Sequence, residues 1–198
     1  IKDYKIRIGS CCYHSSLIPV IRTYVYLDYV YFARLLEADK QYEEAVVQFN
    51  KALSMDKSHT EIYKDISDVY EKKRDFPKAI EAYKNYLDEM KSSPDISDLF
   101  LYGRLNYYAA TDSAYQDKQP TYLAEADTIF AQVAVKVPDN YLGNFWRARV
   151  NSLRDPETTQ GLAKPYYEAA LSILEQKPDA TKSVLVECNS YLGYYYFV

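Results

Sequence analysis

The sequence predicts an all-α protein, a row of antiparallel helix pairs stacked as an α-solenoid. Two observations carry the prediction. Over residues 26 to 93 the chain says the same thing twice. Tyr29, Phe32, Ala33, Leu36, Tyr42, Ala45, Phe49 and Ala52 fall into register with Tyr63, Ile66, Ser67, Tyr70, Phe76, Ala79, Tyr83 and Tyr86, each pair separated by 34 positions. An Ala-x-x-x-aromatic step also recurs, at Ala45/Phe49, Ala79/Tyr83, Ala126/Phe130 and Ala163/Tyr167. Residues four apart share a helix face. The methyl lets two axes approach toward the short end of roughly 8–10 Å, and the ring fills the groove beside it. One such step occurs in any amphipathic helix; four, each behind a matching helix, do not.

Taken in order, residues 1–25 are the least legible. Tyr4-Lys5-Ile6-Arg7-Ile8 alternates like a strand, whereas Leu17-Ile18-Pro19-Val20-Ile21 could close a degenerate preceding helix. The first repeat, 26–58, is expected to place helix A near 26–39 and helix B near 42–55. Ser58 followed by Glu61 reads as a capping box opening the next helix. The second, 59–93, has helix A near 59–73 and helix B near 76–91, with Asp75 as its cap. Pro77 is tolerated because the first turn needs no amide donors. In the third, 94–138, Leu99, Tyr102 and Gly103 belong to helix A, and Ala126, Phe130 and Val133 to helix B. Gly103 to Ala126 spans 23 residues against 12 from Ala33 to Ala45, which predicts a connection 11 residues longer around Thr111–Pro120. The fourth, 139–178, runs helix A near 140–153 and a turn over 155–161, with Ala163, Tyr167 and Ala170 in helix B. A fifth is begun over 179–198, by Leu192-Gly193-x-x-Tyr196, without a helix B.

The period and these small-residue and aromatic positions resemble the tetratricopeptide repeat (TPR), over roughly residues 26 to 198. The chain departs from that pattern where Lys57 and Lys91 replace the terminal proline and Ala33 and Ser67 the glycine. The resemblance implies about four repeats plus a truncated fifth in a right-handed superhelix, with A helices lining the inner face. By the same resemblance, the fifth residue of each repeat faces inward (Val30, Lys64, Phe100, Phe145), as does the ninth (Arg34, Asp68, Arg104, Arg149). Glu37, Glu71, Lys72, Tyr107 and Tyr108 join them. The carboxylate clamp of chaperone-binding family members needs lysine, asparagine, asparagine, lysine and arginine where this chain has Val30, Arg34, Asp65, Ser97 and Leu101, so that clamp is absent.

Composition limits the functions available. Hydrophobic residues make up 48% and charged residues 26%, a globular balance, and the formal charge of −4 argues against binding nucleic acid by phosphate neutralisation. No apolar run reaches the roughly 18–20 residues of a membrane span, and the numbered chain shows no signal peptide. Cys11, Cys12 and Cys188 have neither metal-ligand spacing nor a disulfide pattern. An enzyme needs a positioned acid, base, nucleophile or metal. Only His14 and His59 are on offer, the first beside Cys12 and the second in an inter-repeat turn. No phosphate cradle or metal motif is present, and Gly103, Gly143 and Gly193 are expected at close helix contacts. No catalytic residue, cofactor or metal is therefore expected.

The expected function is a non-catalytic scaffold binding an extended protein or peptide segment in a concave groove. The groove residues are Arg34, Lys64, Phe100, Arg104, Tyr107, Tyr108, Phe145 and Arg149, because aromatic and arginine side chains most often carry interface energy. The competing reading packs the aromatics against the neighbouring repeat, and is favoured for Phe145. An alternative function, carbohydrate binding on the same framework, rests on the 23 tyrosines. The aromatic finish Tyr194-Tyr195-Tyr196-Phe197-Val198 lacks a polar cap, which implies a chain that continues into a helix B, or self-association. The resemblance to large bacterial TPR proteins of the cell envelope slightly favours the periplasm or envelope over the cytoplasm.

Overall fold

The computed structural model describes residues 18–90, 92–177 and 181–197, with side chains from residue 25 onward. The described residues form helices α1 (Ile18–Ala38), α2 (Tyr42–Met55), α3 (Ile62–Lys73), α4 (Phe76–Glu89), α5 (Ile96–Thr111), α6 (Gln119–Lys136), α7 (Leu142–Arg154), α8 (Lys164–Leu174) and α9 (Lys182–Phe197), with no strand among them. Residues 18–21 open α1; the strand-like stretch 4–8, Cys11, Cys12 and His14 lie outside the described residues.

The repeat is present in the backbone itself. Lys40 and Arg74, 34 positions apart, both end an A helix in the left-handed region, with φ of 61° and 64°. Each turn then closes alike: Gln41 N–H donates to Leu36 C=O, and Asp75 N–H to Tyr70 C=O, at 2.8 and 2.9 Å. These are the six-to-one bonds that satisfy orphan carbonyls at a helix C-terminus. The shared turn sends α2 back along α1 and α4 back along α3. The four alanines Ala45, Ala79, Ala126 and Ala163 are fully buried, and Phe49, Tyr83, Phe130 and Tyr167 are buried beside them.

The small positions of the A helices face these B helices. A Cβ on Gly103 would stand 2.8 Å from the Phe130 ring, and one on Gly143 would stand 2.5 Å from the Ala134 amide nitrogen. Ser67 replaces a glycine by donating its hydroxyl to the Ala79 carbonyl at 2.8 Å, which satisfies a buried hydroxyl without widening the contact. Gly193 departs from expectation: no atom lies within 4 Å of the position its Cβ would take. Close packing there needs a following helix, and no described element lies on that side of α9.

Three other expectations are corrected. The connection after α5 is only four residues longer than that after α1. Of the 11 extra residues three extend α5 and four extend α6, because α5 runs to Thr111 and α6 starts at Gln119. A 3-10 segment (Ser113–Lys118) joins them and folds back on the second repeat. Asp112 Oδ2 accepts from the Arg74 guanidinium at 2.7 Å, and Tyr115 donates its hydroxyl to the Arg74 carbonyl at 3.2 Å. The Ser58/Glu61 capping box does not form; Asp56 Oδ1 instead accepts from the Ser58 amide at 2.9 Å. Asp75 precedes α4 without accepting an amide bond and pairs with Lys78 at 3.1 Å. Pro77 removes one of the two amides a cap addresses. The capping box that does form is Asp95/Asp98 at α5, with the Asp98 amide donating to Asp95 at 2.7 Å.

Candidate functional site

The A helices α1, α3, α5, α7 and α9 lie side by side, and ion pairs lace them together. Arg34 of α1 meets Asp65 of α3 at 3.1 Å. Lys72 of α3 reaches back to Glu37 at 2.5 Å and along its own helix to Asp68 at 2.7 Å. Lys64 of α3 donates to Asp98 of α5 at 2.9 Å, and Arg104 of α5 approaches Glu71 of α3 at 3.5 Å. Arg149 of α7 forks onto Glu187 of α9 at 2.7 and 2.6 Å. Every interhelix partner is 31 to 38 residues away in sequence, one repeat on.

The α5–α7 seam is aromatic instead. The Trp146 ring receives Phe100, Tyr107 and Tyr108 edge-on, at centroid distances of 5.6, 5.2 and 6.3 Å, and stacks on Phe130 at 5.4 Å. The Arg149 guanidinium lies over both Phe145 and Trp146, 4.6 and 5.0 Å from their centroids. Arg104 lies 5.6 Å from the Tyr108 centroid. Such contacts pin a cation without removing its charge.

Of the eight residues picked from sequence, Arg34, Lys64, Arg104 and Arg149 are thus engaged with carboxylates of the adjacent A helix. Phe100, Tyr107 and Tyr108 are half-buried around Trp146, and Phe145 is buried at 3% exposure against Tyr167, in the packing role favoured for it. The structure brings Phe100, Arg104, Tyr107, Tyr108, Phe145 and Arg149 together at α5 and α7; Arg34 and Lys64 stand further along the row. Trp146, Asp98 and Glu187 were missed by sequence reading, whereas Glu71 was among the positions expected to face inward. The signal for the carboxylates was a charge of opposite sign about one repeat from each inward cation. For Trp146 it was a lone tryptophan next to an inward position.

Electrostatics follow from this lacing. Burial works against the Asp98 carboxylate, but the Lys64 ammonium and the Asp95 amide together hold its pKa below the usual carboxylate range. Asp65 shifts the other way: burial, helped by Asp68 and Glu61, outweighs Arg34 and pushes its pKa up. The Glu187 fork raises the pKa of Arg149. Burial pushes the Cys188 thiol up to about 11, leaving it protonated and inert near neutral pH. His59 stacks on Tyr26 at 4.1 Å, with its Nδ1 3.0 Å from Glu61.

Between α3 and α5 this face opens into a cleft of about 240 Å³, lined by Lys64, Asp65, Asp68, Glu71, Leu101 and Arg104 over Ser67, Tyr83 and Leu105. Among the described residues no group of three or more His, Cys, Asp or Glu side chains could hold a metal ion, and no helix is long and apolar enough to cross a membrane. In the extended connection the Tyr115 ring packs edge-on against Phe76, with centroids 6.3 Å apart.

Consecutive antiparallel helix pairs, small residues at their crossings and A helices in a row define an α-solenoid. The chain has the tetratricopeptide repeat fold. It is similar to the C-terminal part of a TPR repeat-containing protein from Cytophaga hutchinsonii, at 30% identity and a TM-score of 0.72, with 87% of this chain covered. This chain spans 62% of that one. A thermophilic TPR protein of Thermus thermophilus (16% identity, TM-score 0.53, covering 85% of this chain and 84% of that one) shares the fold. PilF of Pseudomonas aeruginosa does too (18%, 0.51, 89% and 77%). No family model and no curated protein matches the sequence.

Proposed function

We propose that the chain is a non-catalytic protein-interaction scaffold that holds an extended partner segment against the face of its A helices. The observation that carries this reading is the continuity of that face. The ion-paired row of α1, α3 and α5 opens into the cleft at Arg104 and runs directly into Tyr108, Tyr107 and Trp146. A rigid trough with half-buried aromatic side chains is pre-organised for a segment that orders on binding, because the receptor loses little freedom. By the family resemblance, we place the protein in the bacterial periplasm or envelope; fractionation of cells carrying a tagged chromosomal copy tests that.

The binding test is selection of random dodecapeptides displayed on phage against the immobilised protein. Selected peptides should lose binding to an Arg104→Ala/Tyr108→Ala variant and keep it for Val47→Asp, which changes an exposed residue of α2. Enrichment of no peptide, or loss with the α2 variant alone, overturns the proposal.

A further inference from the structure

The cleft between α3 and α5 has a polarity that sequence reading did not anticipate. Across α1, α3 and α5 the ion-pair network contains five carboxylates (Glu37, Asp65, Asp68, Glu71, Asp98) and four cations (Arg34, Lys64, Lys72, Arg104). The two cations at the cleft are already committed. Lys64 sits on Asp98 at 2.9 Å with Tyr86 4.8 Å below it, and Arg104 faces Glu71. The carboxylates are less well served. Lys72 divides its ammonium between Glu37 and Asp68, and Asp65 is met by Arg34, whose side chain is 54% exposed. Burial raises the pKa of Asp65, with Asp68 and Glu61 adding to it against Arg34. The floor is apolar along Leu101 and Leu105, and the Arg104 Nε–H is buried without an acceptor.

We propose that this cleft is an anchor pocket for a lysine or arginine side chain of a partner segment. The aliphatic stem lies along Leu101 and Leu105, and the cation reaches Asp65 and Asp68. Long basic side chains suit such a site because stem and head bury in different surroundings. A partner carboxylate would instead meet Asp65, Asp68 and Glu71 at close range, where like charges repel strongly. The inference rests on the trough being the binding face and adds the chemistry of its occupant.

The same dodecapeptide selection decides it. Trough-binding peptides should share a Lys or Arg at a fixed position. Replacing that residue by norleucine in the synthetic peptide should weaken binding about tenfold or more, as loss of a charge-assisted hydrogen bond does. Asp65→Asn/Asp68→Asn should weaken the parent peptide comparably and leave the norleucine peptide unchanged. Peptides that need Arg104 and Tyr108 but carry acidic or neutral residues, or that ignore the asparagine pair, overturn the anchor and leave the scaffold reading standing. Enrichment of no peptide overturns both.

Discussion

Arg149 and Glu187 join α7 to α9 by two parallel hydrogen bonds, 2.7 and 2.6 Å long, over the faces of Phe145 and Trp146. A residue expected in the groove from its position in the repeat is a clamp between α7 and α9. Tyr167 adds its hydroxyl to the same carboxylate at 3.2 Å.

Arg149→Met keeps an apolar stem and removes the fork. With each side chain about one third exposed, the expected loss is about 1–2 kcal/mol rather than the full value of a buried pair. Urea unfolding followed by the fluorescence of Trp146, the sole tryptophan, measures it. Glu187→Gln should be non-additive with Arg149→Met; additive effects in the cycle would show that the two do not interact.

Two helix glycines should respond oppositely to alanine. At Gly143 the new methyl meets the Ala134 backbone at 2.5 Å, so Gly143→Ala is expected to destabilise by about 1–3 kcal/mol through overpacking. At Gly193 nothing opposes it, and Gly193→Ala should stabilise by about 0.5–1 kcal/mol through helix propensity. Thermal melts of both variants check the contrast.

Lys40 is exposed and left-handed, with φ of 61°. Lys40→Gly relieves the steric penalty of a side chain there and should stabilise by up to about 1 kcal/mol. A lower melting temperature would show that the lysine side chain holds the turn by other means.

Asp98 makes stability depend on pH. Its folded-state pKa is depressed, so its contribution is present above the unfolded value near 4 and disappears as pH falls through the folded value. Lys64 is raised, burial resisting and Asp98 prevailing, so its contribution is lost only as pH climbs above the usual lysine range. Asp98→Asn should flatten the acid limb and lower stability at neutral pH by about 1–3 kcal/mol, since it removes both the ion pair and the reciprocal cap. Urea midpoints from pH 2.5 to 7 give the comparison.

The sequence alone determined the repeat: Ala45, Ala79, Ala126 and Ala163 with their aromatic partners, the small residues at Ala33, Ser67, Gly103 and Ala148, and the helix pairs between them. These are local facts, because a helix crossing is specified by side-chain size at positions a few turns apart. Tertiary structure decided what the inward residues do. Arg34, Lys64, Arg104 and Arg149 could be placed on one face from sequence, but their carboxylate partners sit on the next A helix, and only stacking brings them within 4 Å. It also decided where the 11 additional residues went, since length fixes how much chain must be accommodated and packing fixes whether it lengthens helices or loops out. Gly193 shows the same division: its identity follows the repeat, but a close contact requires a neighbouring helix as well as a missing side chain.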